Sequence, residues 1–554
     1  MVRLPVRAIG KGEGVLAFAA LLGLVMFLQI LGGAYASGFG GYPDEPVHLV
    51  TSLMARDFLA SLDFRHPVQF AVQYYYHYPK VAIGVWPPVL YGTLGIWFLL
   101  VGASRVSALM FIALLAAMTA SLIYFTGKRL IGRWAGILAA LLFIASPLVQ
   151  EASARVMSEH LVTLGMLVST LCFARFARTE RVSNGLAFGS VAAVAILTHG
   201  NAWALGLVPG IALALTNRWY LLRRSGLWLA ALPVLVFCIP WYAFAPSIID
   251  ARGGDIVSFI VAAVPGYTRF LYIDLGLPII ILALIGIWHT IIQVRPRSQV
   301  VPEWAALAAL AIATFGLHCV LPIPVDSRYA VLLTPPVVLF SAAGVNRIAD
   351  LVAFRLPVGA VRAGLALILI AAFGTESFAL PLQLRNGGYG ALVRGVMSRV
   401  SNVPQIWLVS SDATGEGCLI AAVALQEPHP ASYVLRGKTL LAGGDWFGRN
   451  TQDRFDTPAK LAKLLDDLHV TIIVIDDSLA PTDRLPYHAR LKNLVAGESE
   501  TWELIGSYPQ VKDGIVLANS LHVYARRPVA SLAAAMPAFP LDRLKALMIR
   551  KELR

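Results

Sequence analysis

Long apolar runs recur along this chain, and they constrain its fold more than any motif does. A helix that crosses a bilayer needs roughly 20 apolar residues, or about 17 at the short end. About eleven runs meet this requirement: 15–33, 106–127, 134–150, 159–174, 185–199, 201–216, 226–244, 276–294, 304–320, 329–345 and 358–373. Only helices and closed barrels satisfy the backbone inside a bilayer, so these runs predict an α-helical polytopic membrane protein.

Composition and charge support this class and exclude others. The chain is 57% hydrophobic and 14% charged, with a mean hydropathy of +0.69. A net charge of +13 suggests nucleic acid at first, but the Lys and Arg residues form short clusters between apolar runs, as orientation signals do. The four cysteines show no CxxC or Cys/His spacing, so we predict no disulfide framework or zinc site.

The side of each loop follows from the positive-inside rule. We expect the run 15–33 to be retained as a first membrane helix whose N-terminus is cytoplasmic. The run 86–102 opens with Pro87-Pro88 and is short. Leaving it out of the count places every later Lys/Arg cluster, from 128 to 355, on the cytoplasmic side. We therefore predict that 86–102 is a re-entrant or interfacial helix on the outer side.

The predicted organisation has three parts. Residues 1–380 form a membrane domain, in which 34–105 is a long first outer loop with interfacial helices and 245–275 is a further outer loop. Residues 400–528 read as a soluble α/β domain outside the membrane, with strands near 405–410, 432–435, 471–476, 502–507 and 522–525. Its clearest helix has Thr457 as N-cap and Pro458 at the first position. Residues 529–554 form a basic amphipathic tail that either lies on a membrane surface or frays.

Asp44 and Glu45 begin the first outer loop, close to an apolar span. Ionisable groups near hydrocarbon are costly, so each is a functional candidate. The structural alternative is an acidic first turn, favoured by the dipole of an amphipathic helix that follows Pro46. A helix dipole does not require two acids, so we favour a functional pair.

Further along the same loop, Lys80 follows His77 and four tyrosines. The rings suit an interfacial aromatic belt. A cation among them at headgroup level suits a lipid phosphate, and ordinary snorkelling explains it equally well.

Later outer turns carry further polar groups. Arg155 and Glu159 lie four residues apart before a helix, so a local salt bridge is the alternative to a functional role. His199 and Asn201 flank Gly200 at another turn. Arg328 precedes Tyr329 at the start of a helix, where a guanidinium can bind two phosphate oxygens.

All these groups are predicted on the outer side. Acids together with phosphate-binding cations at a lipid surface suggest transfer from a phosphorylated lipid, with one carboxylate accepting a proton and cations stabilising the departing phosphate.

The order of these features resembles the GT-C glycosyltransferases. The resemblance is carried by the Asp44-Glu45 pair, the Pro-Pro before a short apolar helix, the stretch "GKRLIGRWAGILAALLFIASP", the Arg-x-x-x-acid loop and the late Arg-Tyr. Within that superfamily the chain is similar to the protein O-mannosyltransferase and aminoarabinose transferase group, glycosyltransferase family 39-like, which uses polyprenyl-phosphate sugars.

The resemblance implies roles for particular residues. Asp44 would be the catalytic base or a carboxylate that orients the acceptor, with Glu45 in support, and Glu159 and Arg155 would line the same cavity. His199 stands where many relatives have Lys before Gly. Some relatives hold a metal through a His in the loop placed at 245–275, which has no His here, so no cofactor is required and no metal is predicted.

We therefore predict a glycosyltransferase, for a hexose or a pentose, in the bacterial inner membrane with a periplasmic active site. Its partners would be a polyprenyl-phosphate sugar and a glycan, lipid or protein acceptor, among membrane lipids and without nucleic acid. Lys80, Arg328 and His199 would bind the donor phosphate. The alternatives are a transporter or lipid-sugar flippase, and a non-catalytic subunit in which the acid pair is idle.

Overall fold

The computed structural model describes residues 11–245, 256–321, 325–352, 357–383, 386–443, 452–535 and 538–545. Up to residue 383 the described elements are helices: α1 (Lys11–Leu31), α2 (Glu45–Ser61), α3 (Pro67–His77), α4 (Val89–Val101), α5 (Arg105–Leu130), α6 (Arg133–Ala145), α7 (Pro147–Ser153), α8 (Glu159–Thr179), α9 (Val182–Ile196), α10 (Val208–Thr216), α11 (Ser225–Leu229), α12 (Ala231–Phe244), α13 (Ile256–Phe270), α14 (Leu277–Ile287), α15 (Pro302–Val320), α16 (Thr334–Val352) and α17 (Val358–Gln383). Strands and helices then mix: α18 (Tyr389–Arg399), β1 (Ile406–Ser410), α19 (Ala413–Gln426), β2 (Tyr433–Arg436), α20 (Gly437–Leu440), β3 (Ala442–Gly443), β4 (Gln452–Asp453), α21 (Pro458–Asp467), β5 (Ile472–Asp476), α22 (Pro486–Gly497), β6 (Trp502–Lys512) and β7 (Ile515–Arg526).

The chain forms two compact units. The first, which we call the helical unit, comprises residues 1–34, 84–90 and 109–381. The second, the mixed unit, comprises residues 35–83, 91–108 and 382–554. The mixed unit therefore contains most of the first outer loop as well as the C-terminal α/β region, and each unit is described by itself below.

Within the described ranges, seven helical segments are long and apolar enough to cross a membrane, or eight if the bent pair α6 and α7 is one span. The seven are Gly12–Leu31, Arg105–Leu130, Glu159–Thr179, Ser225–Ala243, Ile256–Leu275, Pro302–Val320 and Ser327–Val352. Several of the eleven predicted spans are shorter helices. Helix α9 has 15 residues, or about 23 Å at 1.5 Å per residue, against a hydrocarbon core of about 30 Å.

The structure differs from two of the predicted segments. The predicted span 134–150 is broken, because α6 and α7 meet at an angle of 59° where Pro147 cannot continue the helix. The predicted outer loop 245–275 contains an apolar helical segment, Ile256–Leu275, in its described part; residues 246–255 lie outside the described residues. Pro265 lies inside α13.

The run 86–102 forms α4, an apolar helix of 13 residues. This is about 20 Å of helix, shorter than a bilayer core. That it stays on the outer side remains a prediction. If Ile256–Leu275 crosses the membrane, the predicted side of every later loop is reversed. The predicted sides are kept only if one of the shorter predicted spans does not cross.

Small residues set the packing of the helical unit. A methyl group on Gly286 of α14 would overlap the carbonyl oxygen of Phe340 on α16, and one on Gly189 of α9 would overlap that of Ala230 before α12. Close backbone approach of this kind is how helices associate in lipid, where the hydrophobic effect gives little driving force between them.

The mixed unit is built on a five-stranded sheet in the order β2-β1-β5-β7-β6. The first three strands are parallel, and β7 and β6 are antiparallel. All five correspond to the predicted strands, but β6 and β7 extend beyond them to a turn at Asp513 and Gly514, both with positive φ, as a tight hairpin requires. Thr457 caps α21 as predicted, accepting a bond from the Lys460 N–H at 3.4 Å.

The first outer loop is tied to the C-terminal region inside the mixed unit. The Gly38 N–H donates to the Asn386 carbonyl oxygen at 2.5 Å, and the Asn386 N–H donates to Ser37 Oγ at 3.1 Å. A Cβ on Gly417 of α19 would lie 3.2 Å from Pro46 Cβ and 3.3 Å from Lys80 Cε. Helix α19 therefore packs directly on the start of α2. In the predicted tail, 541–545 is helical, and 546–554 lie outside the described residues.

Candidate active site

The acid pair stands at the start of α2, as predicted, but its two members have different surroundings. Asp44 occupies the N-cap position, yet its side chain makes no capping bond to the helix, and it is only half-buried. Glu45 is fully buried. Asp44 therefore makes no hydrogen-bonded cap, although its position at the helix start still suits the dipole of α2.

Glu45 is held by Arg105, a residue that we did not predict as part of the site. Arg105 Nη2 lies 3.0 Å from Glu45 Oε1, and Arg105 Nη1 donates to the Ser37 carbonyl oxygen at 2.8 Å. The guanidinium also lies 5.5 Å from the centroid of the Phe39 ring. These contacts fix Glu45 as a support for the loop that carries Asp44.

Lys80 lies in the mixed unit, half-buried, near the C-terminal end of strand β2. Burial lowers the pKa of Lys80 to about 8, and the nearby Arg436 guanidinium adds to the effect, which Glu416 and Asp44 oppose. Arg436 is itself paired with Glu416, Nε to Oε2 at 2.8 Å. No hydrogen bond or ion pair of the Lys80 ammonium group is found among the described residues.

The remaining predicted residues lie in the helical unit. Arg328 Nη1 is 3.9 Å from Glu159 Oε1, Arg328 Nε is 3.4 Å from Asp326 Oδ2, and Arg328 Nη2 donates to Tyr329 OH at 3.0 Å. Asp326 also caps the turn, accepting from the Arg328 N–H at 3.0 Å. The guanidinium therefore sits between two carboxylates, and the contact to Glu159 is long for an ion pair.

His199 caps the short helical turn Gly200–Gly206. Its Nδ1 accepts a hydrogen bond from the Asn201 backbone N–H at 3.2 Å. A ring nitrogen that accepts carries no proton, so His199 is neutral in this arrangement and presents Nε2–H as a donor. Its ring centroid lies 5.9 Å from that of Tyr329, and Asn201 is buried.

Arg155 forms a salt bridge with Glu151. Its Nη1 lies 2.7 Å from Glu151 Oε1, because α7 ends at Ser153 and α8 begins at Glu159. The two helices meet in a turn at Arg155, and the i, i+4 relation across that turn does not place Arg155 and Glu159 on one helical face. The closest carboxylate oxygen given for Arg155 is thus that of Glu151, and Glu159 Oε1 lies 3.9 Å from Arg328 Nη1.

Sequence reasoning missed His318 of α15. It is buried, its ring stacks on Tyr329 at 5.3 Å between centroids, and Tyr267 of α13 lies 5.4 Å away on the same measure. An ionisable residue inside an apolar run is itself a signal that could have revealed it. Arg436 and Glu416 gave no comparable signal, because charged residues are common in a sequence that is predicted to form a soluble domain.

The structure groups the predicted residues by unit. Asp44, Glu45 and Lys80 belong to the mixed unit; the helical unit contains Arg155, Glu159, His199, Asn201, Arg328 and Tyr329. Across the described ranges, no three His, Cys, Asp or Glu side chains are grouped to hold a metal ion. That no metal is needed remains a prediction.

Comparisons with known proteins agree with this picture. The family model described as dolichyl-phosphate-mannose-protein mannosyltransferase matches residues 86–244. The crystal structure of ArnT from Cupriavidus metallidurans bound to undecaprenyl phosphate is similar with a TM-score of 0.55 and 17% identity, covering 96% of this chain and 100% of that one. The archaeal oligosaccharyltransferase AglB from Archaeoglobus fulgidus, in complex with an inhibitory peptide and a dolichol-phosphate, is similar with a TM-score of 0.51 and 13% identity, covering 93% of this chain and 77% of that one. No curated protein sequence matches the chain.

These matches confirm the resemblance to the GT-C glycosyltransferases and the predicted fold class. The chain has a GT-C fold: a multi-pass, membrane-embedded helical protein with a small mixed sheet in its C-terminal region.

Proposed function

We propose that the chain is a membrane glycosyltransferase that moves a sugar from a polyprenyl-phosphate donor to an acceptor on the outer face of a bacterial inner membrane. The observation that carries this proposal is that the two acids of the pair have different surroundings. Glu45 is buried against Arg105, while Asp44 remains half-exposed at a helix start that it does not cap. This difference supports a structural role for Glu45 and a chemical role for Asp44 in the proposal.

In the proposed reaction, Asp44 accepts the proton of an acceptor hydroxyl as its oxygen attacks the anomeric carbon. The bond from that carbon to the phosphate oxygen breaks, and the polyprenyl phosphate leaves with its electron pair. Lys80, Arg328 and the neutral Nε2–H of His199 stabilise the negative charge of the leaving phosphate. Tyr329 OH accepts a hydrogen bond from Arg328 Nη2 and orients the guanidinium.

The kind of donor is supported by the neighbours of this fold. The ArnT structure contains undecaprenyl phosphate, and the AglB structure contains a dolichol-phosphate and an inhibitory peptide. The transferred sugar is a hexose or a pentose, and the acceptor is a glycan, a lipid or a protein. No metal or other cofactor enters the proposed step.

The test is transfer from a radiolabelled polyprenyl-phosphate sugar by the full chain in lipid nanodiscs. We expect Asp44→Asn to abolish transfer and to leave donor binding intact. Asp63→Asn is the matched control, because Asp63 is an exposed acid of the same loop paired only with exposed Arg65. Full activity of Asp44→Asn would refute the mechanism, and movement of labelled lipid across the bilayer without transfer would favour a flippase.

A further inference from the structure

An ion pair of the C-terminal α/β region lies next to the segment that carries Lys80. Glu416 of α19 is fully buried, and its Oε2 lies 2.8 Å from Nε of Arg436, at the end of β2. The side chain of Arg436 is only 17% exposed. Glu416 Oε1 also accepts a hydrogen bond from the Lys438 backbone N–H at 2.8 Å. The carboxylate is therefore fixed from two sides, and it orients the Arg436 guanidinium in turn.

The pair reaches the first outer loop through two contacts. Arg436 Nη1 donates a long hydrogen bond to the carbonyl oxygen of Pro79 at 3.5 Å, and Pro79 immediately precedes Lys80. A Cβ on Gly417, the residue after Glu416, would lie 3.3 Å from Lys80 Cε. All of these residues belong to the mixed unit. The end of β2 therefore contacts the backbone before Lys80, and α19 packs on the Lys80 side chain.

The groups around the Lys80 ammonium act on its charge in opposite directions. Burial, which is the largest influence, and the Arg436 guanidinium lower the pKa of Lys80 to about 8. The groups that act against them are Glu416 and Cys418 of α19 and Asp44 at the start of α2. Because burial raises the pKa of the Cys418 thiol, this thiol stays neutral and the two carboxylates are the opposing charges. The charge of Lys80 thus depends in part on an ion pair from a distant part of the sequence.

The simplest alternative is an ion pair that only stabilises the α/β region. A buried ion pair is weak evidence for stability, because well-packed apolar side chains of similar volume often serve as well or better. A guanidinium near an ammonium group is also unfavourable, since each like charge disfavours the charged form of the other. Stability of the α/β region alone therefore does not account for Arg436 at this position, whereas control of a phosphate-binding lysine does.

We propose that Arg436 and Glu416 are positioning residues for donor binding, which hold Lys80 where it contacts the phosphate of the polyprenyl donor. The α/β region then completes the phosphate site of the first outer loop and sets how strongly that site binds. This inference rests on the proposed function, which it deepens by assigning part of the donor site to the C-terminal region.

The test follows the dissociation constant of undecaprenyl phosphate between pH 6.5 and 9.5, with the full chain in nanodiscs. The wild type should lose affinity above about pH 8, where Lys80 loses its proton. Arg436→Gln removes the like charge and should move this loss upward by about one pH unit. Glu416→Gln removes an opposite charge and should move it downward, and the double variant should fall between the two single variants. A loosened fold would weaken binding at every pH and would not produce opposite movements.

A matched control and a second variant keep the test decisive. Arg490→Gln is the control, because Arg490 forms a partly buried pair with Asp453 of β4, 3.0 Å from Nη1 to Oδ2, in the same unit. It should show the pH dependence of the wild type. If Arg436→Gln does not fold because Glu416 is left unpaired, the downward movement in Glu416→Gln and its reversal in the double variant decide the question. Unchanged pH dependence in the folded variants, or movement in the same direction in both single variants, overturns the proposal.

Sugar transfer measured on the same samples separates this inference from the proposed function. A wild type that transfers sugar, with variants whose pH dependence is unchanged, overturns the inference alone. A wild type that binds undecaprenyl phosphate with the expected movements but transfers no sugar from a labelled polyprenyl-phosphate donor overturns the proposed function and leaves the positioning of Lys80 standing. A wild type that does not bind undecaprenyl phosphate overturns both.

Discussion

Glu45 and Arg105 form an ion pair with 3.0 Å between Oε1 and Nη2, and the side chain of Arg105 is only 10% exposed and that of Glu45 fully buried. The pair joins the first residue of α2 to the first residue of α5. The ion pair therefore holds together the two ends of residues 45–105, from the start of α2 to the start of α5.

Breaking this pair should destabilise the mixed unit. Arg105→Met leaves the Glu45 carboxylate buried without its cation, which typically costs about 3–5 kcal/mol. The double variant Glu45→Leu/Arg105→Met should recover much of the loss, because neither charge is then buried. The measurement is the unfolding temperature of each variant in detergent. A double variant no more stable than Arg105→Met would contradict the account.

The affinity for a polyprenyl phosphate should depend on pH through Lys80. Its pKa is lowered to about 8, chiefly by burial, so in the free protein the ammonium form is lost as the pH rises through about 8. Phosphate binding favours the charged form, and the affinity should therefore fall above that pH. The measurement is the dissociation constant of undecaprenyl phosphate between pH 6.5 and 9.5.

Two substitutions at the same position serve as controls for this pH dependence. Lys80→Arg should remove the fall above pH 8, because a guanidinium stays protonated there. Lys80→Met should bind more weakly at every pH and show no step near 8. A step that persists in Lys80→Met would assign the titration to another group.

His199 should contribute to stability and to donor binding through different nitrogens. His199→Asn can keep the cap, because an Asn side chain also accepts from a backbone N–H at this position, but it loses the Nε2–H donor. His199→Ala loses both, and the lost cap should cost about 1 kcal/mol. We expect both variants to bind donor weakly, and only His199→Ala to unfold at a lower temperature. Equal unfolding temperatures would contradict a capping role.

Glu159 and Arg328 should have opposite effects on phosphate binding. The Arg328 guanidinium lies between Glu159 and Asp326, so a phosphate must compete with these carboxylates. Glu159→Gln should tighten the binding of undecaprenyl phosphate, and Arg328→Gln should weaken it by more than tenfold. Measured dissociation constants decide this. Weaker binding in Glu159→Gln would show that the acid assists the donor instead of competing with it.

The sequence predicted those features that depend on neighbours along the chain. Strand β5 and the Thr457 cap of α21 were found from local patterns, and Asp44 stands at a helix start as expected. The partner of Arg155 could not be read in the same way, because Glu151 and Glu159 are both four residues away. Arg155 lies in the turn between α7 and α8, and the spacing alone does not indicate that its guanidinium contacts Glu151.

Contacts between distant parts of the chain could not be predicted. The Arg436 guanidinium, which lowers the pKa of Lys80, lies 356 positions further along the sequence. Helix α13 was missed for a different reason. Pro265 and Arg269 interrupt its apolar run. Local hydrophobicity along the sequence does not distinguish an interrupted helix from a loop.

The bond between Gly38 and Asn386 has a consequence for biosynthesis. The residues that hold the Asp44 loop from the other side, Asn386 and Gly417, are made more than three hundred positions after it. A nascent chain that has inserted its first helices therefore displays the acid pair without its neighbours. The loop can reach its final arrangement only after the C-terminal third has been synthesised and has folded, so a partly made chain would contain Asp44 but would not yet be able to act on a lipid-linked sugar.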